Sequence, residues 1–246
     1  MSPRSIRSPS IWAAFRSWWR QGVEYCGFGP TLRRLLAELW DFIRESTPQQ
    51  KRLRYGDAEY DWDYRVNTTS ATVTFHDRLL GVFHSAYQPT DPAAFHQMMG
   101  AVPSGLSEFI FVDLGSGKGR TLLMASEYPF EQIVGVELLP SLSQVAEENI
   151  REYRNEAQRC FTIESVVGDA GDFTFPAQPV VLYLFNPFPE TVLRRVMENL
   201  ERSLRENPRP AYVLYHNPLL EHVLAASPVL RKISSNDQYA LYSAQF

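Results

Sequence analysis

The feature that most limits what this chain can fold into is an alternation, from residue 108 onward, of short apolar runs with segments of helical periodicity. Buried parallel strands are near-continuous apolar runs, and strands that alternate with helices indicate a parallel sheet covered on both faces. The pattern therefore predicts a doubly wound α/β sheet that two final strands close as a hairpin. The predicted strands are 109–114, 132–137, 161–167, 180–185, 211–215, 229–233 and 239–246, and the helices between them are 121–128, 141–155, 189–205 and 219–226.

The first hundred residues carry a different pattern. Apolar residues recur at helical spacing around 11–20 and over 31–45, which predicts a helical extension. Residues 46–70 mix aromatic and acidic side chains and are predicted to form an ordered loop, and a further helix is predicted over 91–99. We therefore expect two parts: a helical N-terminal extension with a covering segment over 1–100, and the α/β domain over 101–246.

The charge of the chain is distributed unevenly along its 246 residues, although the formal net charge is only −4. Residues 1–54 carry ten Lys and Arg against four Asp and Glu, whereas residues 55–246 carry fourteen against twenty-four. A basic arm attracts nucleic acid, anionic lipid or an acidic protein, but the acidic body disfavours a broad nucleic-acid footprint. A solvated helical extension is the favoured interpretation, and a membrane-surface helix at 11–20 is the minority one.

Cysteine usage and hydropathy exclude several classes of protein. Cys26 and Cys160 are too few for a disulfide framework or a cysteine-only zinc site. No apolar run approaches the roughly 18 residues of a membrane span, and the arginine-containing start lacks a secretory apolar region. We therefore expect a reducing, cytoplasmic compartment. There is no metal-ligand spacing among His76, His84, His96 and His222, so we expect no metal.

The most informative stretch is the turn after the first predicted strand, which reads Asp-Leu-Gly-Ser-Gly-Lys-Gly-Arg at 113–120. Strand, glycine turn and helix come in the order that a nucleotide-type ligand needs, because glycines let the backbone approach the ligand. Such ligands bind beyond the carboxyl ends of the strands. The spacing is G-x-G-x-G rather than the G-x-G-x-x-G of dinucleotide-binding proteins. Lys118 and Arg120 are expected to face solvent or to stabilise the loop, without a catalytic role.

This stretch resembles the first motif of the class I S-adenosylmethionine (SAM)-dependent methyltransferases. Glu137 stands where that family places the acid that binds both ribose hydroxyls, and Asp169 stands where an acid or amide receives the adenine amino group. The strand order and the final hairpin are also similar, over residues 108–246. The resemblance implies a Rossmann-like, seven-stranded methyltransferase sheet with SAM as cofactor. The cofactor-binding residues that it implies are Asp113, Gly115, Ser116, Gly117, Gly119, Glu137, Asp169 and Ala170.

The fourth predicted strand is followed by Asn186-Pro187-Phe188, which is similar to the (Asp/Asn)-Pro-Pro-(Tyr/Phe) motif of amino-methyltransferases. In those enzymes the Asn oxygen and a Pro carbonyl accept hydrogen bonds from the target nitrogen, and the aromatic ring packs on the substrate. The resemblance implies catalytic roles for these three residues in N-methylation. One proline is missing, so the likeness does not extend to nucleic-acid substrates. The alternative is that Asn-Pro only terminates a strand.

Two further resemblances concern the glycine loop and the segment at 60–70. The loop resembles that of Dot1-like and related non-SET lysine methyltransferases. The whole chain is similar to uncharacterised bacterial methyltransferase-like proteins with a Tyr-Gly-Val-Asp-Thr segment, which here reads Tyr-Arg-Val-Asn-Thr at 64–68. That likeness implies that residues 60–70 fold over the methionine end of the cofactor, with Asn67 or Thr68 offering hydrogen bonds. A structural strap on the sheet edge is the alternative.

The favoured function is that of a SAM-dependent methyltransferase, an enzyme of class EC 2.1.1, which N-methylates an amine of a protein or small molecule. His216, after the fifth predicted strand, is either a base for a protonated amine or a structural histidine. One alternative is a non-catalytic SAM-binding or interaction protein. The other, less favoured, is a NAD-dependent oxidoreductase, which the glycine spacing and the lack of a recognisable catalytic pair oppose. The acceptor and the oligomeric state stay open.

Overall fold

The computed structural model describes residues 16, 19–20, 23–24, 27–33, 36, 58–69, 89–103, 105–185 and 189–245. Its centre is a seven-stranded sheet. The strands are β1 (Ile110–Leu114), β2 (Gln132–Glu137), β3 (Ile163–Val167), β4 (Val180–Phe185), β5 (Ala211–His216), β6 (Leu230–Ser235) and β7 (Tyr239–Ala244). Their order is β3-β2-β1-β4-β5-β7-β6, with β1 to β5 parallel and β7 antiparallel to both of its neighbours. The predicted α/β fold with a terminal hairpin is confirmed.

Helices cover both faces of this sheet. They are α1 (Ala58–Tyr64), α2 (Pro92–Met99), α3 (Arg120–Ala125), α4 (Pro140–Glu152), α5 (Glu190–Glu206) and α6 (Glu221–Ala225), with 3₁₀ turns at Leu106–Glu108 and Ala170–Asp172. Side chains of α5 and α6 pack with Val112 and Leu182 on one face. Side chains of α2 and α3 pack with Phe111 and Tyr183 on the other. Neighbouring residues of one strand thus enter opposite cores, as the two-residue period of a strand requires.

Most helices and strands end within three residues of their predicted positions, and three segments show further differences. The predicted loop over 46–70 contains α1. Two aromatic side chains of this helix, Tyr60 and Tyr64, lie one helical turn apart and pack together at a ring-centroid distance of 4.8 Å. The helix predicted to begin at residue 31 is already helical at residues 28–30, and most of its remainder lies outside the described residues. β3 is shorter than predicted and alternates in exposure, since it is an edge strand.

Gly135, in the middle of β2, allows α3 and the glycine loop to approach the sheet. A Cβ atom at this position would lie 2.6 Å from Cδ1 of Leu122 and 2.7 Å from Oγ of Ser116. We expect Gly135→Ala to lower the free energy of unfolding by about 1–3 kcal/mol, because overpacking forces the neighbours to move. Urea denaturation measures the change.

Gly168→Ala is the matched control for this substitution. A Cβ atom there would lie 3.7 Å from Cγ1 of Val136, an ordinary contact. We expect this variant to stay within about 0.5 kcal/mol of the wild type. Equal destabilisation of the two variants would contradict the close approach at Gly135.

Candidate functional site

The glycine loop connects β1 to α3 and follows the carboxyl end of β1. Its three glycines have left-handed backbone conformations, with φ of +89° at Gly115, +55° at Gly117 and +82° at Gly119. Residues other than glycine rarely adopt this backbone conformation. The loop is tied to β2, because the backbone N–H groups of Gly115 and Ser116 both donate to the carbonyl of Val136, at 2.8 and 3.1 Å. The glycine spacing is therefore required by the path of the chain itself.

Glu137 links this loop to the end of β2. Its Oε2 accepts a hydrogen bond of 2.8 Å from the N–H of Gly117, and its Oε1 accepts one of 2.9 Å from the N–H of Leu139. Burial raises the pKa of the Glu137 carboxyl, and the backbone donors of Leu139 and Gly117 oppose that rise. The carboxylate is thus held at the carboxyl edge of the sheet in a fixed orientation.

Asp113 lies near the end of β1 and is 3 % exposed. Burial and, next, the charge of Glu137 raise the pKa of Asp113 to about 8, although a hydrogen bond with Thr121 acts in the opposite direction. The surroundings of Asp113 therefore favour its protonated form more than water does. Through Thr121 it joins the end of β1 to α3, so its contacts in the structure support the glycine loop.

Asp169 and Ala170 follow β3, the neighbour of β2 on the far side from β1. Asp169 lies at the same edge of the sheet as Glu137, because β2 and β3 are in register with Val167 opposite Glu137. Oδ1 of Asp169 accepts a hydrogen bond of 2.8 Å from the N–H of Gly171. Its Oδ2 lies 3.6 Å from a guanidinium nitrogen of Arg195, and its side chain remains 42 % exposed. Ala170 is buried in the core.

Ser116, also predicted to bind the cofactor, has a side chain directed into the protein. It is 5 % exposed, and its Oγ has no hydrogen-bond partner among the described residues. Because the hydroxyl lies against Gly135, it occupies the space that a side chain on β2 would take. The loop's approach to the sheet thus depends on a small residue at 116 as well as on the glycine at 135.

The expectation that Lys118 and Arg120 face solvent is wrong, and the alternative that they stabilise the loop is correct. They are 0 % and 1 % exposed. The Nζ of Lys118 donates to Oδ1 of Asn67 at 3.1 Å and to the carbonyl of Thr69. Nε of Arg120 donates to the hydroxyl of Thr68 at 2.6 Å. Burial lowers the pKa of Lys118 to about 8.

These two cations hold residues 61–69, which we call the strap, against the glycine loop. Within the strap, Asp61 accepts hydrogen bonds from the backbone N–H groups of Thr68 and Thr69, at 2.8 and 2.9 Å, and from the Thr68 hydroxyl. Its carboxylate also lies 3.5 Å from Nη2 of Arg120. Asp61 therefore closes the strap into a turn and pairs it with the first residue of α3.

Asn149 of α4 also binds the strap. Its Oδ1 accepts from the N–H of Asn67 at 2.7 Å, and its Nδ2 donates to the carbonyls of Asn67 and Lys118, both at 2.9 Å. Sequence reasoning did not identify Asp61 or Asn149, and no local pattern distinguishes them. The strap is thus a structural partner of the glycine loop, and contacts of Asn67 and Thr68 with a cofactor stay predictions.

The fourth strand ends at Phe185, immediately before the segment predicted to be catalytic. Asn186, Pro187 and Phe188 lie outside the described residues. Immediately before them, Phe185 pairs in register with His216. The two rings stack with centroids 4.1 Å apart and an interplanar angle of 17°. An aromatic pair therefore joins the ends of β4 and β5, and its Phe185 directly precedes the predicted catalytic segment in the sequence.

Comparison with known families agrees with this arrangement. A family model described as "Histone methylation protein DOT1" matches residues 85–173, which run from before α2 to just after the second 3₁₀ turn. The matched region contains the glycine loop, Glu137 and Asp169, and the strand order is the one implied by the resemblance. The chain has the fold of a class I SAM-dependent methyltransferase. SAM is the cofactor that this fold implies.

Several solved structures are similar to part of the chain at low identity. The chain is similar to a TehB-like SAM-dependent methyltransferase from Corynebacterium glutamicum, with 15% identity, 63% of this chain and 87% of that chain covered, and a TM-score of 0.43. An RNA methyltransferase from Salinibacter ruber in complex with S-adenosyl-L-homocysteine has 21% identity, coverages of 64% and 92%, and a TM-score of 0.38. A predicted N6-adenine-specific DNA methylase from Listeria monocytogenes has 15% identity, coverages of 64% and 51%, and a TM-score of 0.48.

Two negative findings complete the comparison. The search of curated proteins found no match. In the part of the chain that the structure describes, no helix is both long enough and apolar enough to cross a membrane.

Proposed function

We propose that this chain binds SAM at the ends of β1, β2 and β3 and methylates an amine nitrogen of a protein or small molecule. The observation that carries the proposal is the position of the Glu137 carboxylate, which the N–H of Gly117 holds at the end of β2. A carboxylate has about four acceptor positions, so two backbone donors leave room for two ribose hydroxyls. The side chain of Asp169, on the neighbouring strand end and partly exposed, is available to the adenine amino group.

When bound, SAM supplies an electrophilic methyl group, and the task of the chain is to orient a nitrogen that has a lone pair. We assign this task to Asn186, whose amide oxygen accepts a hydrogen bond from an amine, with the carbonyl of Pro187 as a second acceptor. Phe188 supplies an apolar wall, which favours the neutral amine because low polarity disfavours charge. The residues of the glycine loop position the cofactor and do not exchange protons with the substrate.

Two observations support a protein amine over a nucleic acid. The matching family model is described as a histone methylation protein. Residues 55–246 carry twenty-four acidic against fourteen basic side chains, so the body attracts a cationic amine and repels a phosphate backbone. A protein side chain bearing an amine is therefore the acceptor that we favour.

Incubation of the protein with labelled SAM and a host lysate tests the proposal. We expect label to appear on a protein or small molecule as N-methyl groups. A thermal shift with S-adenosylhomocysteine but not with NAD would separate the proposal from an oxidoreductase. Binding of S-adenosylhomocysteine without any labelled product would favour the non-catalytic SAM-binding protein instead.

Asn186→Ala tests the assignment of the nitrogen. We expect unchanged S-adenosylhomocysteine binding and a turnover of the labelled acceptor reduced about 5- to 150-fold, since an unpaired buried polar group costs about 1–3 kcal/mol. The control is Asn207→Ala, at the carboxyl end of α5, where the side chain donates to the carbonyl of Ala177 at 2.9 Å. Wild-type turnover by Asn186→Ala, or an O- or C-methyl product, would contradict N-methylation through Asn186.

A further inference from the structure

Three side chains form a continuous hydrogen-bonded relay that ends at His216, the last residue of β5, which pairs in register with Phe185. The hydroxyl of Thr90 lies 2.9 Å from the hydroxyl of Tyr183, which lies 2.9 Å from Nδ1 of His216. Thr90 and Tyr183 are 2 % and 1 % exposed, whereas the ring of His216 is half-buried. The relay therefore runs from the buried core to the carboxyl end of β5.

The number of hydrogens in the relay determines its direction. If Thr90 donates to Tyr183 and Tyr183 donates to Nδ1 of His216, both hydroxyl hydrogens have acceptors. If Nδ1–H of His216 donates to Tyr183 and Tyr183 donates to Thr90, the buried Thr90 hydrogen has no acceptor among the described residues. Leaving a buried donor unsatisfied is costly, so the first direction is favoured. In that direction Nδ1 is the acceptor, and the ring hydrogen is on Nε2.

The surroundings of the ring keep it uncharged. Phe185 stacks on its face. The groups of neighbouring elements that face it are the hydroxyl of Tyr183 on β4, Tyr239 opposite on β7 and the carboxylate of Asp91 before α2. Burial lowers the pKa of His216 to about 4, although the charge of Asp91 acts in the opposite direction. The ring is thus a neutral donor at neutral pH.

We propose that His216 recognises the methyl acceptor by donating a hydrogen bond from Nε2–H to an uncharged backbone carbonyl oxygen of the protein that carries the methylated amine. Nδ1 is directed to the buried Tyr183, so Nε2 lies on the edge of the ring away from the core. A nitrogen that carries its hydrogen cannot remove a proton from the substrate, so this role replaces that of a base. The inference rests on the proposed function only for the identity of the molecule beside the ring.

The tautomer is measured directly by nitrogen NMR of the full chain labelled with ¹⁵N-histidine. His216→Gln identifies the signals of His216 by their loss. We expect the Nε2–H tautomer, with no titration between about pH 5.5 and 8. Thr90→Val removes the first hydroxyl and should shift His216 toward a mixture of tautomers, whereas Thr90→Ser keeps the hydroxyl and should leave the tautomer unchanged. An Nδ1–H tautomer or a charged ring at neutral pH in the wild type would overturn the inference.

Recognition is probed with N-methylacetamide, a small carbonyl compound, at saturating S-adenosylhomocysteine. We expect it to shift the His216 Nε2–H signal, and we expect methylammonium, an amine without a carbonyl, to leave the signal in place. No shift, or equal shifts with both compounds, would overturn the inference. Failure of the wild type to bind S-adenosylhomocysteine would contradict the proposed function alone, because the tautomer is measured without the cofactor.

Discussion

Glu137→Ala is expected to weaken the binding of S-adenosylhomocysteine by at least about a hundredfold. In the proposed complex the variant loses two charge-assisted hydrogen bonds to the ribose, each worth about 1.5–3 kcal/mol, and every 1.4 kcal/mol is about tenfold in affinity. It also releases the N–H of Gly117, which donates to this carboxylate at 2.8 Å, so the glycine loop loses one of its hydrogen bonds to the end of β2. Calorimetric titration of the variant measures the change.

Two further variants make this result specific. Glu137→Gln keeps one oxygen acceptor and similar volume, so it should bind with intermediate affinity. Glu148→Ala removes an exposed acid from α4 and should bind like the wild type. Circular dichroism shows whether each variant is folded. Wild-type affinity in folded Glu137→Ala would contradict the assignment of Glu137 to the ribose.

Asp61→Ala is expected to lower the free energy of unfolding by about 3–5 kcal/mol, the usual effect of removing one partner of a buried ion pair. Arg120, the cation that Asp61 faces, is 1 % exposed at its side chain, and Asp61 itself is 13 % exposed. The substitution also leaves the N–H groups of Thr68 and Thr69 without their acceptor. Urea denaturation measures the loss.

Asp63→Ala provides the control for Asp61, because it removes an acid of the same helix whose side chain is exposed. We expect it to change stability by less than about 0.5 kcal/mol. If the two variants are equally stable, the pairing of the strap with Arg120 contributes nothing to folding. In that case the strap would have to be held by Asn149 and Lys118 alone.

The sheet was predictable from the sequence because its strands bury both faces. Residues 180–185 form an uninterrupted apolar run, and the structure has β4 over the same residues. The α/β class was predicted for the same reason, whereas β6 of the terminal hairpin is a largely exposed edge strand. The first residue of β3 was predicted less accurately, since an edge strand has one partly exposed face and its apolar pattern is weaker.

The candidate site was predictable where it lies at strand ends. Three successive parallel strands end at or near Asp113, Glu137 and Asp169, so the topology alone brings these acids to one edge of the sheet. The fates of Lys118 and Arg120 were not predictable in the same way. Charged side chains in a loop are usually exposed, and only partners far along the chain make their burial possible.

The sequence by itself therefore determined the α/β class and the position of the glycine loop, because these depend on local periodicity and on the rules of chain connection. The strand order was implied by the resemblance to the methyltransferases. Only the tertiary structure decided how buried polar groups pair. Asp61 and Arg120 are 59 residues apart, and Thr90 and Tyr183 are 93 apart. No local pattern encodes such pairs, since each partner satisfies the other only after the fold has excluded water from both.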